Sequence, residues 1–433
     1  MLFEKIGLVD ENFNYKGNMY VGVAGNLIVY ISNEAPDDDM KEKFGECYDG
    51  KGKVIMPGFY NSHAHMAMTL MRGYGEGLSL DRWLNELIFP FEDKLNDEAV
   101  YWGTMLSVAE SLRYGIVSTS DMYYFMDSIV RAVSTARAKV NISRGIANPM
   151  GVPVEKLDGL KEMHDSIVMY HGWDEGRVLV DTSVHAEYTT NEDTVRAVVE
   201  EAKKYQVGLH VHVSETASEV EGCRQRRDGR SPVEYLNDYG AFDTRCIAAH
   251  CVHIDDNDIS ILKEKDVTVA TNPISNLKLV SGMCNTPKLF EAGVNVALGT
   301  DSVASNNSLD FFEEMKMMAM VGKMSSNNPA AMSPQQILYS ATRAGAIAQG
   351  RKNSGLVKEG YSADLVVVNT DVPNMQPVHN MLNNLVYSGS GKDVVLTMVD
   401  GRVLYRDGEY DTIDIEKTIA EVNNAKNKIM MEL

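Results

Sequence analysis

Cysteine pairs, long apolar runs and an excess of basic residues are all missing from this sequence, and each absence excludes something. The five cysteines (Cys47, Cys223, Cys246, Cys251 and Cys284) form no CxxC pair and are odd in number. That argues against a disulfide framework and for an intracellular chain. No apolar stretch approaches the ~20 residues that a membrane span needs. The N-terminus, MLFEKIGLVDENFNYKGN, carries charges throughout and lacks the apolar run of a signal peptide. The expected compartment is the cytoplasm. Lysine and arginine number 41 against 61 aspartates and glutamates, a formal charge of −20. Such a chain is a poor partner for nucleic acid, whose binding rests on neutralising phosphates, and for an anionic membrane surface. Internal repeats, low-complexity tracts and long linkers are also lacking.

What remains is ordinary for a globular protein: 433 residues, 44% hydrophobic and 24% charged. That length fits two or three domains, or a barrel with a smaller module. The 25 methionines, dense in MKMMAMVGKM, are read as gap fillers on core helices.

The texture of the chain changes twice. The first ~55 residues contain short strands with turn signals, including Gly25-Asn26 inside MYVGVAGNLIVYIS. A similar texture returns in SADLVVVNTD and DVVLTMVDGRVLYRDGEY, where Asp400-Gly401 marks a hairpin. Between them, short apolar runs alternate with helical patterns: GIVSTSDM, KVNISRGIAN, RVLVDTSVHA, VGLHVHVSE, RCIAAHC, VTVATNP and NVALGTD. With the strand ending at Asn61-Ser62-His63 there are eight such runs, which suggests a closed (β/α)₈ barrel, an α/β fold. The expected organisation is a small β-sandwich built from both ends (residues 1–57 and 358–412), a barrel over 58–357, and a terminal helix over 413–433.

Ionisable residues recur at the C-terminal ends of the apolar runs, the end of a barrel where active sites form. His63 and His65 lie two apart on a strand and so face the same side; His210 and His212 do likewise, and Glu215 follows. HxH alone fits an ordinary hydrogen-bonded pair as well as a metal site. Of ten histidines, however, five (His63, His65, His185, His212 and His250) close strand runs, and Leu298-Gly299-Thr300-Asp301 ends the last one. Asp301 is then a helix cap, or a ligand or base. Imidazoles with a carboxylate and no thiolate suit Zn²⁺ and also accept Fe²⁺, Mn²⁺ or Ni²⁺. Such a metal turns water into a nucleophile near neutral pH. Glu215, the carboxyl group nearest His212 in sequence, is the candidate proton donor, its alternative being a helix-start carboxylate.

At this point the sequence resembles a known group. PGFYNSHAHMAMTLMRGYGEGLSLDRWL, FPFEDKL, HVHVSETASEVEGC, AAHCVHIDD, NPISNLKLVSG and LGTDSVASNNSLDFFEEM are similar, in order, to blocks of the amidohydrolase superfamily. Within it they resemble the 5-methylthioadenosine/S-adenosylhomocysteine deaminases. The likeness runs from about residue 20 to about residue 405. It implies one divalent metal, zinc foremost, on His63, His65, His212 and Asp301, and a purine nucleoside as substrate. It further implies that Glu215 shuttles a proton to the purine, that His250 polarises the attacked centre or orients the hydroxide, and that Asp301 doubles as a base. By the same resemblance His185 contacts the purine, Glu92 of FPFE accepts hydrogen bonds from the ribose hydroxyls, and Arg144, Trp83 and Ser305 line the pocket. Relatives are often dimers or larger, so a homo-oligomer is expected. Two-metal members resemble each other in a bridging lysine at the end of strand four; RVLVDTSVHAEY offers His185 there instead, which supports a single metal.

Two other readings stand beside this one. Relatives of similar appearance hydrolyse guanine, pterins or triazines, and for such substrates Glu92 has no ribose diol to engage. A silent scaffold that keeps the metal for structure alone would be expected to have lost a ligand or the proton shuttle, and neither is lost. One departure bears on specificity. Family members that use S-adenosylhomocysteine resemble each other in an arginine after strand three, where NPMGVPVEKLDGLK has only Lys156 and Lys161 as cations. Lysine is a poorer bidentate partner for a carboxylate. The expected outcome is a kcat/KM for 5-methylthioadenosine or another neutral 5′-substituted adenosine at or above that for S-adenosylhomocysteine. A clear preference for S-adenosylhomocysteine would refute it.

Overall fold

The computed structural model describes residues 1–433, leaving aside the side chain of Asp81. Eight parallel strands follow one another around a barrel: Phe59–Ala64, Ile116–Met122, Lys139–Ser143, Val178–Ala186, Leu209–Val213, Cys246–His250, Thr268–Thr271 and Asn295–Leu298. They are the eight apolar runs of the sequence. Most are buried on both faces, as expected when helices cover the outside and side chains fill the inside.

The ring closes where the eighth strand meets the first. Asp301 bridges to Ala64, and its amide donates to the His63 carbonyl at 2.9 Å. Asn61 locks the seam by donating to Thr300 Oγ1 (2.7 Å) and accepting from the Thr300 amide (3.1 Å). Gly299 is required here: a Cβ on it would lie 2.3 Å from Asn272 Oδ1 and 3.0 Å from the backbone of His63. Only glycine lets the two strands approach this closely.

Both chain ends meet in one nine-stranded mixed sheet. Lys53–Pro57 pairs antiparallel with Leu365–Asn369, from Lys53 opposite Asn369 to Pro57 opposite Leu365. The sheet packs around a core of its own, which includes Phe3, Val21, Ile28, Ile55, Val367 and Met398. Both expected hairpins are present, with Ala24 opposite Leu27 and Val399 opposite Arg402. Asp400 and Gly401 both have positive φ, as a two-residue type I′ turn requires. The last helix, Ile415–Met430, buries Thr418, Val422, Ala425 and Ile429 along one stripe and packs on the helix Asp97–Arg113. No helix among the described residues is long and apolar enough to cross a membrane.

A buried ionic network ties the sheet to the N-terminal end of the barrel. Lys139 Nζ donates to Asp364 Oδ1 (2.7 Å) and Oδ2 (2.6 Å) and to Asp400 Oδ1 (2.6 Å), while Tyr60 Oη donates to Asp364 Oδ2 (2.5 Å). Removing the cation leaves uncompensated carboxylates in the interior, which costs about 3–5 kcal/mol. Lys139→Met is therefore expected to lower the urea unfolding midpoint clearly, with kcat near that of the parent because the substitution lies at the end of the barrel opposite the site. An unchanged midpoint would show that the network contributes no net stability.

Candidate active site

The strand ends that face the other way converge on one cavity of about 90 Å³. His65 comes from the end of the first strand, Arg144 from the third, His185 from the fourth, His212 and Glu215 from the fifth, His250 from the sixth and Asp301 from the eighth. Several of these strands stop abruptly. Ser214, His250, Cys251 and Asp301 all have positive φ, which turns the chain sharply at the mouth of the barrel.

Three imidazoles and a carboxylate meet at the centre. His65 Nε2 lies 3.3 Å from Asp301 Oδ1, His63 Nε2 3.5 Å from the same oxygen, and His212 Nε2 3.4 Å from His65 Nε2. Ligands held at about 2.1 Å from a shared tetrahedral ion stand about 3.4 Å apart, so the spacing fits a small divalent metal. His63 Nε2 is wholly buried and makes no hydrogen bond. His250 also offers a nitrogen close to those of His63 and His212.

The second nitrogen of each of these three histidines fixes its tautomer. His65 Nδ1–H donates to the Met122 carbonyl (2.6 Å) and His212 Nδ1–H to the His185 carbonyl (2.7 Å), so both Nε2 lone pairs face the centre. His63 Nδ1 sits 2.9 Å from His210 Nε2, and His210 Nδ1 sits 3.4 Å from Ser143 Oγ, which donates to the Asp121 carbonyl. Read back along this chain, each group donates to the next and the His63 Nε2 lone pair is left free. His210 is thus a support for His63 and not a ligand.

The electrostatics call for a cation. Burial alone would raise Asp301, but His63 and His65 beside it hold it well below the usual carboxylate range. Burial alone would lower His65, yet Asp301 and the Met122 carbonyl raise it to about 9. No cysteine belongs to the metal-competent clusters among the described residues. The donor set and its spacing fit a divalent metal on His63, His65, His212 and Asp301.

Around this centre, Ser275 Oγ donates to Asp301 Oδ2 at 2.6 Å and the Ser302 amide donates to Oδ1 at 2.8 Å. Ser305, expected to line the pocket, does so and also reaches Asp301 Oδ2 at 3.3 Å. His250 Nδ1 meets Asn276 Oδ1 at 2.8 Å, and its Nε2 lies 3.8 Å from Glu215 Oε2. Glu215 Oε1 accepts from Ser281 Oγ at 2.9 Å.

Glu92, at the end of the short helix Phe89–Glu92, lines the same cavity with Trp83, Leu84, Ile88 and Phe89. Burial raises its carboxyl to about 7, against the lowering influence of Tyr123, His65, Tyr124 and Arg144. His185 faces the cavity with Nδ1 3.0 Å from Thr189 Oγ1. Arg144 both lines the cavity and forms an ion pair: Nε donates to Glu162 Oε2 (2.8 Å), Nη1 to the Gly145 carbonyl (2.9 Å), and the guanidinium lies over the Tyr124 ring.

The structure thus brings every residue singled out in the sequence to one place. Sequence reasoning missed Tyr123, Tyr124, Asn276 and Ser281. The tyrosine pair directly follows the second strand run and was open to the same strand-end argument. Asn276 and Ser281 lie within the SNLKLVSG block but carry no spacing that marks them.

Residues 54–404 match the amidohydrolase family. The chain is 40% identical to a 5-methylthioadenosine/S-adenosylhomocysteine deaminase of Dictyoglomus thermophilum, over 90% of this chain and 91% of the relative. It is also 40% identical to a 5′-deoxyadenosine deaminase of Methanocaldococcus jannaschii, over 91% and 93% of the two chains. Among solved structures it is similar to an adenosine deaminase of Xanthomonas campestris with bound zinc, at a TM-score of 0.91 and 29% identity over 99% and 98% of the two chains. With the family match covering most of its length and relatives 40% identical over about nine-tenths of it, the chain belongs to the amidohydrolase family.

Proposed function

We propose that this chain is a hydrolytic deaminase that converts a 6-amino purine nucleoside and water to the 6-oxo nucleoside and ammonia. The substrate class is that of 5-methylthioadenosine, S-adenosylhomocysteine, 5′-deoxyadenosine and adenosine. The observation that carries this reading is the presence of Glu92 in the same cavity as the metal-competent cluster and Glu215. A carboxylate with two acceptor oxygens suits a vicinal diol, which a nucleoside has and a free base, pterin or triazine lacks. The names of the relatives support the same class.

The metal is zinc in this reading, since three imidazoles and a carboxylate without thiolate suit it and the similar adenosine deaminase holds it. When bound, it acts as a Lewis acid that makes water a nucleophile near neutral pH. The chain's own residues do the rest. Of the two protons that the attacking water gives up, Asp301 takes one and passes it on to the departing amine, and Glu215 carries the other to the purine ring nitrogen. The oxygen stays on the carbon as the 6-oxo group, and both carboxylates are regenerated. His250, held by Asn276, orients the water against the attacked carbon, and His185 meets the purine edge. Trp83, Leu84 and Ile88 wall the cavity and keep bulk water from the reacting centre.

Glu215→Gln is expected to reduce kcat by about 10²–10⁴-fold with metal content unchanged; full activity would remove Glu215 from the mechanism. Glu92→Ala is expected to raise KM for nucleosides at least about tenfold, the scale of losing hydrogen bonds to a charged acceptor. An unchanged KM would favour a free-base or triazine substrate. Dialysis against a chelator should abolish ammonia release, and one equivalent of zinc should restore it. A panel of 5′-modified adenosines and free bases, followed by loss of adenine absorbance, identifies the preferred substrate.

A further inference from the structure

One segment, from Asn276 in the short helix Pro273–Lys278 to Ser281 just beyond it, reaches both side chains beside the metal-competent cluster. Asn276 Oδ1 meets His250 Nδ1 at 2.8 Å, and Ser281 Oγ donates to Glu215 Oε1 at 2.9 Å. The two ends of the segment are joined to each other, because the Ser281 amide donates to the Asn276 carbonyl at 2.8 Å. It is anchored a third time by His253 Nε2, which donates to the Ser281 carbonyl at 2.6 Å. Ser281 is buried, so its hydroxyl has little water to turn to.

The backbone under Glu215 is held as firmly as its side chain. Ser214 takes a left-handed conformation, φ 52°, which swings the chain out of the strand. The buried Glu219 carboxylate stabilises that turn by accepting from the Ser214 amide at 2.9 Å and the Glu215 amide at 2.7 Å. The Ser214 carbonyl in turn accepts from the amides of Val252 (3.1 Å) and His253 (2.9 Å). With the main chain fixed, the rotation of the Glu215 carboxyl is the freedom that remains, and Ser281 restricts it.

We infer that Ser281 is a positioning residue that assigns the two oxygens of Glu215 different tasks. Its hydroxyl holds Oε1 as an acceptor. Oε2, which lies 3.8 Å from His250 Nε2, is then the oxygen that picks up and delivers the proton. A carboxyl group free to rotate would present either oxygen and lose alignment at each transfer, and misplacement of a reacting group on the ångström scale lowers rate steeply. The inference rests on the proposed role of Glu215 as proton carrier.

The test is steady-state kinetics on the zinc-loaded enzyme with 5-methylthioadenosine. Ser281→Ala is expected to lower kcat about 10–100-fold, the range of one hydrogen bond to a charged group, with KM within about threefold of the parent. Ser281→Thr keeps the hydroxyl and should regain most of the lost turnover. In a Glu215→Gln background, Ser281→Ala should add no more than a twofold loss, because the two residues act as one unit. Metal content and thermal melting of each variant separate these effects from misfolding. The inference is overturned if Ser281→Ala turns over like the parent while Glu215→Gln is inactive. It is equally overturned if Ser281→Ala raises KM alone, or if its effect multiplies with that of Glu215→Gln. Full activity of Glu215→Gln would instead overturn the reading on which it rests.

Discussion

Everything at the mouth of this barrel follows from crowding three buried imidazoles and a carboxylate to within about 3.5 Å of one another. Such a set is unfavourable unless a positive charge sits in its middle. The ring of strand ends exists to enforce that crowding. Left-handed turns at Ser214, His250 and Asp301 end three strands where their side chains converge. The outward nitrogens of His65 and His212 are tied to carbonyls, and that of His63 to His210. No ligand is left free to rotate away from its neighbours.

The fold divides the work between its ends. Lys139, Asp364, Asp400 and Tyr60 hold the sheet on the barrel at one end, where burial and ion pairing serve stability. The reactive groups occupy the other end, as is usual for this architecture. The surplus of acidic residues over the whole chain does not carry into the cluster, where Asp301 lies against His63 and His65. Arg144 shows how local pairing redirects a charge: with Glu162 on one side and the Tyr124 ring beneath, its guanidinium is a fixed, largely neutralised wall.

Much of this was legible in the sequence because barrel strands obey a period of two. His63 with His65, and His210 with His212, are placed on one face by that period alone, and Asp301 by being the last polar residue of the last run. The eight runs themselves are legible because strands buried on both faces are continuous apolar segments. What was not legible has a common cause. Ser281, Asn276 and Glu219 act through contacts made by a loop, a helix of under two turns and a helix start, segments too short or irregular for periodicity to relate spacing to direction. His210 satisfied the same pattern as the ligand His212 but lies one layer deeper, a difference of depth that periodicity does not encode. The pairing of Lys53–Pro57 with Leu365–Asn369 joins segments about 300 residues apart, and texture suggested only that both ends were β-rich.

The seam at Gly299 has a consequence for the completeness of the site. Two members of the central cluster, His63 and Asp301, stand on the first strand and just past the last, and the hydrogen bond that closes the barrel runs between their own backbones. A chain that stops short of Asn295–Leu298 has His63, His65 and His212 but no Asp301, so the four-group cluster is complete only in a chain long enough to close the ring.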